Sequence, residues 1–159
     1  MKTLQVTFLL NGFEKTIVSA PNRTLLDVLR DDLNLTGAKD SCGGEGECGA
    51  CTVIVDDKAI NACMILIGQV QGCAVETIEG LAENGQLHPL QRAFVEAGAV
   101  QCGYCTPGAI LAAKALLLEN PHPSDVEIRD GLSGNLCRCT GYVKIVEAVR
   151  LAAAEMRHA

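Results

Sequence analysis

From Ser41 to Val53 the chain reads SCGGEGECGACTV, three cysteines and four glycines within thirteen residues. Cys63 extends this to C-x5-C-x2-C-x11-C. Glycine tolerates positive φ and lets backbone N–H groups turn inward toward an anionic centre, where a side chain would obstruct the approach. Four thiolates with a long final spacing suit a plant-type 2Fe–2S centre held by Cys42, Cys48, Cys51 and Cys63. The usual run is C-x4-C-x2-C, so Gly43-Gly44 is expected to absorb the extra residue. Gly44 to Gly49 also satisfies G-x-G-x-x-G, but a dinucleotide fingerprint follows a strand and opens a helix. Here a helical pattern precedes and a strand pattern follows, so that reading is set aside.

A second set, Cys102, Cys105, Cys137 and Cys139, reads C-x2-C-x31-C-x-C. Each pair directly precedes a predicted helix start, at Thr106-Pro107 and at Thr140-Gly141. Two helix N-termini aimed at one place would bring positive partial charge to concentrated thiolates, and so favour an anionic metal centre and raise its reduction potential. Structural zinc, disulfides, and a thioredoxin-like role for Cys102–Cys105 are the competing readings of these cysteines. The ninth cysteine, Cys73, lies in a short apolar stretch and reads as a small core residue.

Outward from the first loop, Leu4, Val6, Phe8 and Leu10 alternate with polar residues, Asn11-Gly12 follows, and Thr16 to Val18 resumes a β pattern. This predicts a hairpin. Leu25, Leu26, Val28, Leu29 and Leu33 recur at helical spacing after Thr24, predicting an amphipathic helix. Beyond the loop, 52–55 and 58–62 flank an Asp56-Asp57 turn, and 74–78 reads as a further strand. Between Glu79 and Gln86 the text becomes polar and glycine-containing, which divides the chain into an N-terminal domain (1–78), a linker (79–87) and a helical domain (88–159). Four helices are predicted there: 88–97, 107–119 capped by Thr106, 124–133 with a Ser124/Glu127 capping box, and 141–157. The fold class is α+β, with a small antiparallel helix bundle as the second unit.

Nine cysteines among 159 residues dominate the composition, and a formal charge of −6 gives no footing for nucleic acid or an anionic membrane. Three Phe, two Tyr and no Trp support neither a base-stacking platform nor a large aromatic pocket. The N-terminal apolar stretch reads as a strand rather than a targeting segment, no run approaches a membrane span, and a cytoplasmic location is expected. His88, His122 and His158 are scattered and read as surface residues.

GECGACTV at Gly46 to Val53, QCGYCTPG at Gln101 to Gly108 and GNLCRCTGY at Gly134 to Tyr142 together resemble the iron–sulfur subunit of the molybdenum hydroxylases, the xanthine dehydrogenase and aldehyde oxidoreductase family. The resemblance covers nearly the whole chain and departs only in the Cys42–Cys48 spacing. It implies a β-grasp, plant-type ferredoxin-like domain followed by a four-helix bundle domain, each carrying one 2Fe–2S cluster on the two cysteine sets. It further implies a molybdopterin-binding large subunit, an FAD-binding medium subunit and a dimer of heterotrimers. Single electrons would pass from the molybdopterin site through the helical-domain cluster and then the ferredoxin-like cluster to FAD or another acceptor. Gln101 and Cys139 match positions close to the pterin, and no substrate turnover is expected from this chain alone.

Overall fold

The computed structural model describes residues 2–157. β1 (Leu4–Leu10) and β2 (Phe13–Ser19) form the predicted antiparallel hairpin. Asn11 and Gly12 at its tip have φ of 51° and 82°, the two positive values a tight two-residue turn of this hand requires. β3 (Thr52–Val55) and β4 (Lys58–Asn61) make a second hairpin through Asp56-Asp57. β5 (Ala74–Glu76) enters between β1, to which it is parallel, and β3, to which it is antiparallel, giving a mixed sheet in the order β2-β1-β5-β3-β4.

The alternation in β1 turns Val6, Phe8 and Leu10 into one core with Val53, Val55 and Val75. Against that face packs α1 (Leu25–Asp27), whose start is fixed reciprocally: the Asp27 N–H donates to Thr24 Oγ1 and the Thr24 N–H to the Asp27 carboxylate. The predicted regular helix departs from expectation here. It widens into a π-helical turn over Val28–Asp32, where the Leu33 N–H reaches back five residues to the Val28 carbonyl. Leu25, Leu26, Val28 and Leu29 are all buried in this arrangement.

Four helices follow: α2 (Pro89–Glu96), α3 (Thr106–Glu119), α4 (Asp125–Gly131) and α5 (Val143–Met156). They surround a second core, built largely from alanines, leucines and isoleucines. α3 is buried over most of its circumference because it packs on β3 as well as on α2 and α4. Every residue of β3 is buried, Val53 and Val55 toward the sheet core and Ile54 toward the helical one, which explains its unbroken TVIV text. The Lys114 ammonium on α3 binds both carboxylate oxygens of Glu76 on β5 at 2.5 and 2.6 Å, a second tie between sheet and helices. Within 79–87, Leu81 is buried in the helical core and Glu83 and Gln86 bridge in a tight turn.

Two helix starts differ from the sequence expectation. Thr106 is already helical and Cys105 holds the capping position, because the Thr106 N–H donates to the Gly103 carbonyl and the turn runs directly into α3. α5 begins at Val143 rather than 141, since Gly141 and Tyr142 both have positive φ. His88 is no surface bystander: half-buried, its Nδ1 accepts from the Leu90 N–H at 3.2 Å and caps α2. His122 is exposed as expected, and His158 lies outside the described residues. Cys73 sits half-buried at the rim of the sheet core rather than within it, and the adjacent Asp56 carboxylate pushes its thiol up. No helix among the described residues is long and apolar enough to cross a membrane.

Candidate iron–sulfur site

The first cysteine loop runs between α1 and β3, and its shape follows from Asp40. That carboxylate accepts the N–H groups of Gly43 and Gly44 at 2.9 and 3.1 Å, with both glycines at positive φ. The loop then curls so that backbone N–H groups point at the Cys42 thiol, which sits at its mouth. The N–H of Glu47, the Cys48 thiol and the Cys48 N–H, with a smaller contribution from Glu45, lower Cys42 to about 7. This is the inward-turned cradle expected of a glycine-rich wrap. Cys51, immediately before β3, is buried and faces Cys63 with sulfurs 3.4 Å apart. Burial pushes the Cys51 thiol up to about 12, so a proton or a metal cation must neutralise it there.

The second loop is assembled from two segments. Cys102 and Cys105 lie before α3, and Cys137 and Cys139 lie between α4 and α5. The sulfurs of Cys102 and Cys139 are 3.6 Å apart and exposed. Cys105 and Cys137 are hydrogen-bonding neighbours deeper in, and burial followed by the Cys137 thiol raises Cys105 to about 12. Burial alone would also raise Cys137. The Thr140 hydroxyl at 3.1 Å and N–H at 3.4 Å, with the Cys139 N–H, outweigh it and bring Cys137 to about 7. The Tyr142 hydroxyl accepts the Cys137 N–H at 2.8 Å, fixing the turn from below.

The eight cysteines thus converge as four pairs: Cys42 with Cys48, Cys51 with Cys63, Cys102 with Cys139, and Cys105 with Cys137. Among the described residues no three His, Cys, Asp or Glu side chains gather around a single-ion position. Two thiolates on one tetrahedral metal at a ~2.3 Å bond length sit roughly 3.8 Å apart, close to the 3.4 and 3.6 Å measured within two of the pairs. Two pairs per set match a dinuclear cluster in which each metal takes two cysteines.

The two loops abut. Six cysteines, Cys42, Cys48, Cys102, Cys105, Cys137 and Cys139, line one cavity of about 760 Å³. The Leu136 N–H donates to the Cys48 carbonyl at 2.9 Å, and the Asn135 amide to the Gly49 carbonyl at 2.9 Å. Backbone meets backbone here: a Cβ on Gly49 would lie 2.2 Å from the Gly134 carbonyl, and one on Gly108 would lie 2.3 Å from the Gly49 carbonyl. The sequence supplied the cysteines but not Asp40, Tyr104, Asn135 or Thr140. Of these, Tyr104 lies within QCGYCTPG and Asn135 and Thr140 within GNLCRCTGY, but nothing local assigned them a partner.

Residues 8–93 match the family described as the 2Fe-2S iron-sulfur cluster binding domain, and residues 77–150 a [2Fe-2S] binding domain. The chain is 55% identical to the nicotinate dehydrogenase small FeS subunit of Eubacterium barkeri, covering 96% of both chains. It belongs to the 2Fe–2S small subunits of the xanthine dehydrogenase and aldehyde oxidoreductase family. A probable xanthine dehydrogenase subunit of Bacillus subtilis shares 48% identity with this iron–sulfur subunit, over 93% of it and 84% of the relative. Among solved structures, quinoline 2-oxidoreductase from Pseudomonas putida 86 superposes with a TM-score of 0.94 at 39% identity, over 99% of the subunit and 98% of that chain. The aldehyde oxidoreductase of Desulfovibrio desulfuricans matches at 48% identity and a TM-score of 0.93, over 97% of the subunit but 17% of the longer chain. The same fold therefore occurs both as a chain of this length and as part of a much larger one.

Proposed function

We propose that this chain is the electron-relay subunit of a molybdenum-containing hydroxylase or dehydrogenase, with one 2Fe–2S centre on each cysteine set. The observation that carries the reading is the grouping of eight cysteines into two adjacent sets of two close pairs. In the first set Cys42 with Cys48, and Cys51 with Cys63, would each hold one iron. In the second, Cys102 with Cys139, and Cys105 with Cys137, would do the same. When bound, two such centres supply one-electron steps that divide a two-electron substrate oxidation.

The chain's own residues do the positioning and tuning. The loop N–H groups at Cys42 and the Thr140 donors at Cys137 stabilise negative charge on sulfur, while Cys51 is buried and Cys105 half-buried on the inner side of each set. We read the N-terminal half (1–78) as a β-grasp ferredoxin-like domain and 88–159 as a four-helix bundle, with 79–87 between them. The sheet order and the helical core support this division. Gln101 and Cys139 are both exposed and are proposed to contact a pterin held by a molybdopterin-binding large subunit. The first set would then serve an FAD-binding medium subunit, in a dimer of heterotrimers located in the cytoplasm. The chain alone would turn over no substrate.

The test is to purify the protein natively with whatever accompanies it, and to measure Fe, Zn, Mo and flavin. About four Fe per chain with co-purifying Mo and flavin is expected. Stoichiometric zinc in a chain that purifies alone would overturn the reading.

A further inference from the structure

Asn135 is 8% exposed and stands two residues before Cys137. Its amide nitrogen donates to the Gly49 carbonyl at 2.9 Å and to Thr52 Oγ1 at 3.1 Å, across 86 and 83 residues of sequence. The Gly49 carbonyl has no local need of that bond, because it already accepts from the Thr52 N–H at 3.1 Å and the Thr52 hydroxyl at 2.7 Å. What the Asn135 bond adds, beside the Leu136 N–H to Cys48 carbonyl bond, is a second tie between the C-x-C arm of one cysteine loop and the Cys48–Cys51 turn of the other. The opposite arm is tied separately. Tyr104, between Cys102 and Cys105, donates its hydroxyl to the Asp40 carbonyl, and the Asp40 side chain holds the Gly43-Gly44 turn beside Cys42. Tyr104 is 45% exposed, so its ring fills no core, and the hydrogen bond is its main structural contribution. Each arm of the second loop is thus fastened to a different end of the first.

We propose that Asn135 and Tyr104 are positioning residues that act beside the Leu136–Cys48 backbone bond to hold the two cysteine loops at a fixed separation, so that the spacing of the two centres is fine-set by side chains that bind neither. The inference rests on reading both cysteine sets as 2Fe–2S centres. It goes beyond that reading by assigning the fine adjustment of the geometry between them to a pair of remote side-chain hydrogen bonds. Neither side chain is a ligand. Removing one should leave each loop's own hydrogen bonds, and hence its cluster, in place while the two loops move relative to each other.

The experiment uses the iron-loaded subunit in its native complex, with Asn135→Asp, Tyr104→Phe and the double variant. Asn135→Asp keeps the side-chain shape but presents an acceptor to the Gly49 carbonyl, and Tyr104→Phe removes only the hydroxyl. Iron per chain, the two EPR signals in partly reduced samples, and the magnetic splitting between them when both centres are reduced are measured. The expected result is unchanged iron and unchanged individual signals, with a reduced splitting in each single variant and a larger reduction in the double. Unchanged splitting in the double variant would overturn the proposal. So would loss of iron from the second set, which would make the residues part of that cluster's fold rather than its placement. Should Asn135→Asp fail to fold, Tyr104→Phe at its exposed position still decides the question. Absence of two EPR signals in the unaltered protein would instead defeat the underlying 2Fe–2S reading.

Discussion

The first turn of α3 meets the first cysteine loop backbone to backbone, and Gly108→Ala probes that contact. A Cβ at position 108 would stand 2.3 Å from the Gly49 carbonyl oxygen and 3.3 Å from the Asn135 amide nitrogen. Ordinary C···O contacts begin near ~3.3 Å, so the first turn of α3 must retreat by about 1 Å from a backbone atom that cannot rotate away. Overpacking of this kind costs roughly 1–3 kcal/mol, against a helix-propensity gain of at most ~1 kcal/mol for replacing glycine. The net expectation is a loss of about 1–2 kcal/mol. At roughly 2–4 °C per kcal/mol for a protein of this size, the melting temperature falls by about 2–8 °C. The internal control is Gly134→Ala, on the other side of the same junction, where an added Cβ meets nothing within 4 Å and φ is not positive. That variant should stay within ~0.5 kcal/mol of the unaltered protein. Thermal unfolding of the iron-loaded protein, followed by far-UV and visible circular dichroism, reads both. Equal melting temperatures for Gly108→Ala and Gly134→Ala would refute the close backbone approach.

Two further perturbations bear on tuning and on pH. Thr140→Val removes the hydroxyl that donates to Cys137 Sγ at 3.1 Å. A lost hydrogen bond of about 0.5–1.5 kcal/mol to a sulfur that gains charge on reduction should lower the second centre's potential by roughly 20–60 mV, read by redox titration of its EPR signal. Burial, followed by the charge of Lys114, lowers the pKa of His88. The unfolded chain therefore binds this proton more readily than the folded one, and the stability His88 contributes is complete above its unfolded value of ~6.5 and lost as pH falls through its lower folded value. His88→Asn keeps a capping acceptor and should flatten the difference in melting temperature between pH 7.5 and 5.5 relative to the unaltered protein. An identical pH difference in the two proteins would contradict it.

The sequence was most legible where chemistry is local. Asn11-Gly12 between alternating strands, Ser124 with Glu127, and the closely spaced C-x2-C and C-x-C pairs each carry their reason within a few residues, and the structure reproduces the hairpin and the capping box. Legibility failed where the deciding partner is remote. Asn135 finds Gly49 and Thr52, Tyr104 finds Asp40, and Lys114 finds Glu76 across 38 to 86 positions. No periodicity or motif announces such pairs. Local geometry also overrode propensity twice: Gly141 and Tyr142 in positive φ delayed α5, and the turn from Gly103 drew Thr106 into α3. The π-helical turn after α1 belongs to the same class, since Leu25 to Leu29 reads as an ordinary apolar stripe until the core it fills is known.

The central claim is that the two cysteine sets hold two separate 2Fe–2S centres, and single-set knockouts test it most directly. Cys48→Ser and Cys105→Ser are prepared in the native complex, and iron content and the EPR spectrum of the reduced protein are recorded. Each variant is expected to fall from about four to about two Fe per chain and to lose one EPR signal, a different one in each case. Loss of the same signal in both variants, or full iron and two intact signals in either, would contradict the account.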